Sequence, residues 1–421
     1  MFRKWLFRLR VISKLLSIRA TLFALLAIIS SLAAILFADL VPDEFADLAG
    51  GDAVDDILRM MASSMLLVVT FSLSTMVAAY NSATQNATPQ ATSLIKDDSE
   101  SLSAISIFLG AFIYAVVSLV AVSTDYYGEK GRVILLLLTV FVLVSVVIVI
   151  IRWVEHLKNM GSVLETIKRV EDVTRDALLE RARRPTFGCR VMEKIPRGLS
   201  PVVTSEVGFI QNIDISNLSD ICEEYSVELY IVQDIGSFIH DKSIVAYVTF
   251  MDEALLAEFK EKVKKTFSVD TRRTFDNDPL YGVSTLAGIG IKAMSPSLND
   301  PATATDVISS LVRILLQWNR EKKQQEDSSC EYQKVYFPQL RVEQLINTSF
   351  YHLAKDVVRS IQASQMLRSG LEILAQQEGE EFKEAIDYQQ RIFLQRFKVE
   401  NKFNLDFDEV MSASSPAVLK D

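Results

Sequence analysis

The sequence predicts an α-helical membrane protein with four transmembrane helices, joined to a cytoplasmic α+β domain with a small β-barrel or sandwich and a helical C-terminal part. Three observations predict it. Four apolar stretches of about twenty residues fall before position 153, and about twenty helical residues at 1.5 Å each match the roughly 30 Å hydrocarbon layer of a bilayer. The apolar share of 49% and the mean hydropathy of +0.22 are high for a soluble chain. After position 200 the apolar period switches to alternate residues and then returns to helical spacing.

Residues 1–19 carry Arg3, Lys4, Arg8, Arg10, Lys14 and Arg19 with no acid, interleaved with Phe2, Trp5, Leu6, Leu9, Val11 and Leu15. That pattern is a basic amphipathic helix lying on anionic lipid, which makes the bilayer surface an expected partner. Residues 20–153 form the membrane domain, with spans expected at 20–41, 60–80, 102–122 and 133–151. The first apolar run is too long for a signal peptide and more spans follow it. Lysine and arginine set the orientation. The amino end is basic, and loop 42–59 is acidic, with Asp43, Glu44, Asp47, Asp52, Asp55 and Asp56 against Arg59. The chain after the last span opens with Arg152, Lys158, Lys168 and Arg169, so the positive-inside rule places both termini in the cytoplasm.

Residues 154–200 read as a stalk helix and linker, with Val163, Ile167, Val170, Val173 and Leu178 at helical spacing amid charge. Residues 201–251 are β-branched and aromatic runs broken by the turns Asp234-Ile235-Gly236 and His240-Asp241-Lys242, with a helix inserted at 218–225. The Asp-x-Gly-x-Phe turn resembles that of barrel-sandwich hybrids carrying biotin or lipoate, but no Met-Lys dipeptide exists to accept either group. Residues 252–421 form a helical domain. In it Asp278-Pro279 and Asp300-Pro301 each start a helix, Asp as N-cap and Pro in the first turn, predicting helices 279–294 and 301–318. Gly282, Gly288 and Gly290 cost the first of these about 1 kcal/mol each relative to alanine, which points to close helix approach. Residues 320–334 read as a polar loop.

Several function classes are excluded or disfavoured. Cys189, Cys222 and Cys330 are far apart without a CxxC, which argues against a disulfide framework or zinc ribbon. A net charge of −9 argues against nucleic-acid binding. The histidines His156, His240 and His352 are isolated from one another, no GxSxG elbow or Walker loop occurs, and Gly288-Ile289-Gly290 reads as packing. No enzyme activity, metal or cofactor is expected.

Two groups of residues stand out as candidate sites. Ser63, Ser64, Thr70, Ser74, Thr75, Asn81, Gln85 and Asn86 share one side of the second span, with Met65, Leu66, Val69, Leu73, Met76 and Val77 on the other. This seam either lines a pore, its hydroxyls and amides replacing part of an ion's hydration shell, or packs helices together. Arg272, Arg273, Asp276, Asp278, Asn299 and Asp300 could form a ligand or phosphate-ester site, or serve as helix caps. Two readings follow: a homo-oligomeric channel or transporter around the second span, or a membrane-anchored sensor or scaffold whose soluble domain binds a ligand or partner protein.

The stretches ASSML, FSLS, SATQNATPQA and LGAFIY in the membrane half, with GFIQNID, RTFDNDPLYG and KAMSPSLNDPATA in the soluble half, resemble the bacterial predicted membrane proteins catalogued as domain of unknown function 2254. The resemblance implies a multi-pass protein of the bacterial inner membrane with a cytoplasmic domain, and carries no settled activity. Gln90 stands where relatives carry a basic residue after the proline, and Glu155-His156 where they carry a histidine pair, so no role transfers at those positions.

Overall fold

The structure, a computed structural model, describes residues 16–38, 41–42, 53–96, 99–123, 129–158, 161–249, 252–324, 330–401 and 409–410. The basic segment 1–15, Asp39, most of the acidic loop and the tail 411–421 lie outside the described residues, and with them the expected interfacial helix. The chain divides into two compact units, Met1–Gln85 with Ser93–Glu165, and Asn86–Thr92 with Thr166–Asp421.

The first unit contains α1 (Leu16–Leu36), α2 (Ala53–Asn86, all but its last residue), α4 (Ser99–Val122) and α5 (Glu129–Leu157); the short α3 (Pro89–Lys96), between α2 and α4, begins in the Asn86–Thr92 segment of the second unit. Among the described residues three helices, α2, α4 and α5, are long and apolar enough to cross a membrane, which corrects the expected four spans. The expected first span falls on α1, in which the apolar stretch among the described residues is Thr21–Ala34. The bounds of α1 are shifted toward the amino end from the expected 20–41, because hydropathy continues past Leu36, where the helix stops.

Small residues set how these helices meet. Lipid tails supply no hydrophobic drive between helices, so close backbone approach and van der Waals contact must hold them. A Cβ on Gly110 of α4 would fall 2.2 Å from the Phe23 ring of α1, so only glycine admits that ring. Ala27, Ala34, Ala111 and Ala115 are fully buried between α1 and α4, and Tyr114 shares a 3.4 Å hydrogen bond with Thr139 of α5. The helix α2 joins this core through the side chains Val54, Leu58, Met61 and Met65, and through Phe71 meeting Trp153 edge-on at 6.5 Å.

The second unit begins with α6 (Val163–Arg183) and then builds two sheets. Strands β1 (Cys189–Val191), β2 (Ser200–Val203), β4 (Leu229–Ile231), β6 (Ile244–Val248) and β8 (Tyr332–Phe337) form one, in the order β1-β8-β4-β6-β2. Strands β3 (Gly208–Ile213), β5 (Phe238–Ile239) and β7 (Phe267–Asp270) form the other, ordered β5-β3-β7. Among the described residues no barrel is closed: the larger sheet ends in free edges at β1 and β2. Period-two alternation marks a half-buried strand whether its sheet is open or closed, so it does not report closure. The sheet is extended by β8, which pairs parallel with both β1 and β4 from about eighty residues beyond the expected β region. It also replaces the last part of the expected polar loop with a strand.

The helices α7 (Ile215–Glu224) and α8 (Glu253–Lys264) cover the sheets, burying Leu218, Ile221, Phe259 and Val263 in a core shared with Val202, Leu229, Ile231, Val335 and Phe337. A helical half follows: α9 (Pro279–Ala293), α10 (Pro301–Gln324), α11 (Val342–Phe350), α12 (Leu353–Val357), α13 (Ile361–Ala375) and α14 (Glu380–Glu400). Both Asp-Pro pairs start helices as expected. Asp278 accepts from the Tyr281 amide at 3.0 Å and Asp300 from the Thr303 amide at 3.1 Å. Helix α10 runs past the expected end at 318 to Gln324, where buried Asn319 donates to the Glu378 carbonyl at 3.1 Å and Lys323 pairs with the Glu378 carboxylate at 2.8 Å.

Candidate functional site

Two of the three glycines of α9 sit where another chain segment leaves no room. A Cβ on Gly282 would lie 2.2 Å from Thr174 Oγ1 of α6, and one on Gly290 would lie 2.8 Å from Leu353 of α12. Gly288 instead faces Thr88 at 3.5 Å, in the segment Asn86–Thr92 that follows α2 directly. Ala87, Ala91 and Thr92 are fully buried within the second unit, and Lys292 Nζ donates to the Ala87 carbonyl at 2.6 Å. The helix α9 therefore both caps the sheet-side cleft described next and holds the segment after α2.

At the N-terminus of α9, Asp278 is 3% exposed and takes a bidentate bond from Arg273, Nε and Nη2 each at 2.7 Å. A second Arg–Asp pair lies beside it. Arg181 of α6, 4% exposed, donates through Nη2 to Asp234 at 2.6 Å and to the Pro338 carbonyl at 3.1 Å, its guanidinium stacked over Phe187 and Phe337. Its Nη1 has no partner among the described residues. Burial pushes the Asp234 carboxyl up from its ordinary value against the pull of Arg181, and pulls the Arg181 guanidinium down against the pull of Asp234. Desolvation thus works against both charges of the pair. Gly236 separates the two pairs. It holds φ +84°, and a Cβ there would fall 2.2 Å from Asp278 Oδ2, so the turn needs glycine twice over.

These groups wall a cleft of about 710 Å³ between Asp234-Ile235-Gly236-Ser237, Arg273 and the start of α11. Arg341 occupies the N-cap of α11 without a side-chain cap bond, and Gln344 and Thr348 follow along the cleft wall. Uncapped N–H groups beside a guanidinium are a setting for a carboxylate or phosphate. The expected ligand cluster is split by this arrangement. Arg273 lines the cleft and Asp278 is buried against it, whereas Asn299 and Asp300 follow the far end of α9, a helix about 22 Å long. Arg272 and Asp276 are exposed, the Arg272 carbonyl accepting from Gln211. Asp234, Arg181 and Arg341 were absent from the expected set; Asp234 carried a signal as a turn residue, and the two arginines carried none. Among the described residues, no group of three or more His, Cys, Asp or Glu side chains gathers as a metal site would require.

The polar seam of α2 occupies the other unit. At about 100° per residue, Ser63, Thr70, Ser74, Asn81 and Gln85 fall within roughly 60° of one another, and Ser64, Thr75 and Asn86 lie further round. The buried side of α2 is Val54, Leu58, Met61, Met65, Ser72 and Ala83, opposite the stripe. The stripe thus faces away from its own bundle, flanked by exposed Leu67, Phe71 and Val77. Met65, expected on an outward lipid face, is in the core. Each hydroxyl donates to a carbonyl of its own helix, Ser63 to Arg59, Ser64 to Met60, Thr70 to Leu67, Ser74 to Thr70 and Thr75 to Phe71. That satisfies the proton and leaves oxygen lone pairs available.

Comparison with known proteins bears on the whole chain. A family model described as a predicted membrane protein, DUF2254, matches residues 13–417. The chain belongs to the DUF2254 family. An uncharacterised protein of Mycobacterium bovis and one of Mycobacterium tuberculosis are each similar to this DUF2254 chain at 22% identity over 119 residues, 28% of it and 23% of the relative. The aligned part is thus under a quarter of the length of the curated relatives it matches. No solved structure matches the chain.

Proposed function

We propose that this DUF2254 protein assembles with copies of itself around the outward face of α2, forming a water-lined path across the bacterial inner membrane, with no catalytic step. The observation that carries the reading is the placement of the Ser63, Thr70, Ser74, Asn81 and Gln85 stripe opposite the buried side of a peripheral helix. A polar stripe on an outer face is best accommodated where a neighbouring subunit or water replaces lipid. Hydroxyl oxygens and amides there suit small solutes or ions that shed part of their hydration, without strong charge selection.

The soluble unit belongs in the cytoplasm on this reading. Two crossings, α4 and α5, separate the segment 86–92 from the chain after α5, which returns both to one side. The basic residues Arg152, Lys158, Lys168 and Arg169 favour the cytoplasmic side for it. The second reading, a membrane-anchored sensor, is favoured by the cleft beside Arg273, Asp278 and Arg341, in which a carboxylate- or phosphate-bearing ligand would bind.

Mass measurement of the full chain in detergent, paired with solute flux in liposomes, tests the proposal. An oligomer with flux that falls severalfold in Ser74→Leu/Thr75→Leu is expected. A monomer without flux would leave the sensor reading in its place.

A further inference from the structure

A pocket of about 590 Å³ opens where α4 begins and α5 ends, at the polar limit of two apolar helices. Its floor is apolar, from Ala104, Ile107 and Val149, and its rim is ionic. At that rim Arg152 and Glu155 stand three residues apart on α5, within reach of each other on one helical face. They form no ion pair, and neither has any other partner among the described side chains. Glu100 is engaged by His156 Nδ1 at 2.9 Å, with its own carboxylate largely exposed. Between these groups Trp153 is 5% exposed, and its ring is fixed by edge contacts with Phe71 and Phe108, at 6.5 and 6.0 Å. Its indole Nε1–H has no acceptor among the described residues.

We propose that this pocket binds the headgroup of a zwitterionic phospholipid. A buried indole N–H without an acceptor is destabilising, and a phosphate or ester oxygen would satisfy it. A free guanidinium and a free carboxylate side by side match a phosphate and the ammonium joined to it, where an anionic headgroup would meet the glutamates unfavourably. In that pose the phosphate lies toward Arg152 and Trp153, the ammonium toward Glu155 and Glu100, and the first acyl carbons over Ala104, Ile107 and Val149. A pocket polar at its rim and apolar below it suits an amphiphile better than a wholly water-soluble phosphate.

The test is native mass spectrometry of the full chain in detergent, given equal amounts of dioleoyl phosphatidylethanolamine and dioleoyl phosphatidylglycerol. The wild type is expected to retain the ethanolamine lipid about tenfold over the glycerol lipid, the ratio that one charge-assisted contact supports. Glu155→Gln, at an exposed site that does not threaten folding, is expected to bring the ratio toward one. Trp153→Phe keeps the ring and removes the donor, and is expected to weaken retention of both lipids. Equal retention by the wild type, or ratios and retention unmoved in both variants, would overturn the proposal. So would displacement of the lipid by soluble phosphoethanolamine at equal concentration, which would point to a free phosphate compound instead.

Discussion

Alanine at Gly282 and alanine at Gly288 are expected to shift stability in opposite directions, although both remove a glycine from the same helix. Helix propensity alone favours alanine by about 0.8–1 kcal/mol at either position. At Gly288 the new methyl meets only Thr88 Cγ2, at 3.5 Å, which is ordinary contact, so Gly288→Ala is expected to stabilise by about 0.5–1 kcal/mol. At Gly282 it would sit 2.2 Å from Thr174 Oγ1 and 2.8 Å from Thr174 Cβ and Cγ2. Thr174 is buried, and its hydroxyl is committed to the Val170 carbonyl at 2.5 Å, so rotating it away forfeits that bond. Overpacking of this kind costs about 1–3 kcal/mol and the lost bond about 1 kcal/mol, so the net effect of Gly282→Ala is a loss of about 2 kcal/mol. Thermal unfolding of the full chain in detergent reads both, at about 2–4 °C per kcal/mol for a unit of this size. Shifts of the same sign in the two variants would refute the close-approach account of α9.

Asp278→Asn keeps an N-cap acceptor but loses the charged bidentate bond to Arg273, and should cost about 2 kcal/mol, with Asp278→Ala costing about 1 kcal/mol more; denaturant midpoints distinguish them. The Glu171 carboxyl is subject to burial, which raises its pKa, but bonds from Arg313 and Ser310 outweigh this and hold it below 4.5. Its contribution to stability is therefore present above pH 4.5 and is lost as the pH falls through the lower folded value. The stability difference between wild type and Glu171→Gln should shrink over that acid range and stay constant above it. Lys292→Met removes the donor to the Ala87 carbonyl, and amide exchange in 86–92 should quicken on the order of tenfold while α13 is unchanged.

Much of the helical framework was legible because its signals are local. Asp278-Pro279 and Asp300-Pro301 announce helix starts through their own side chains, and the glycines of α9 announce crowding through their cost. The apolar runs of α4 and α5 state their length directly. What sequence reading missed depends on pairing across distance. Nothing in YQKVYF marks it as the strand that joins β1 to β4, since parallel partners are chosen by the rest of the fold. The Arg181–Asp234 pair spans 53 positions, and each residue alone looks like a solvated charge. Ser63, Thr70 and Ser74 were visible as a stripe, but only the packing of Met61 and Met65 reveals which way it faces.

The segment Asn86–Thr92 has a consequence for how the molecule is made. It leaves the ribosome some two hundred residues ahead of α9, whose Lys292 and Gly288 it meets, and two hydrophobic helices are inserted in between. Its alanines must wait, uncovered, until translation reaches their partner. Neither half is one uninterrupted piece of the gene, so a truncation after α5 would strand this segment without its cover, and expressing the C-terminal part alone would leave α9 with an empty berth.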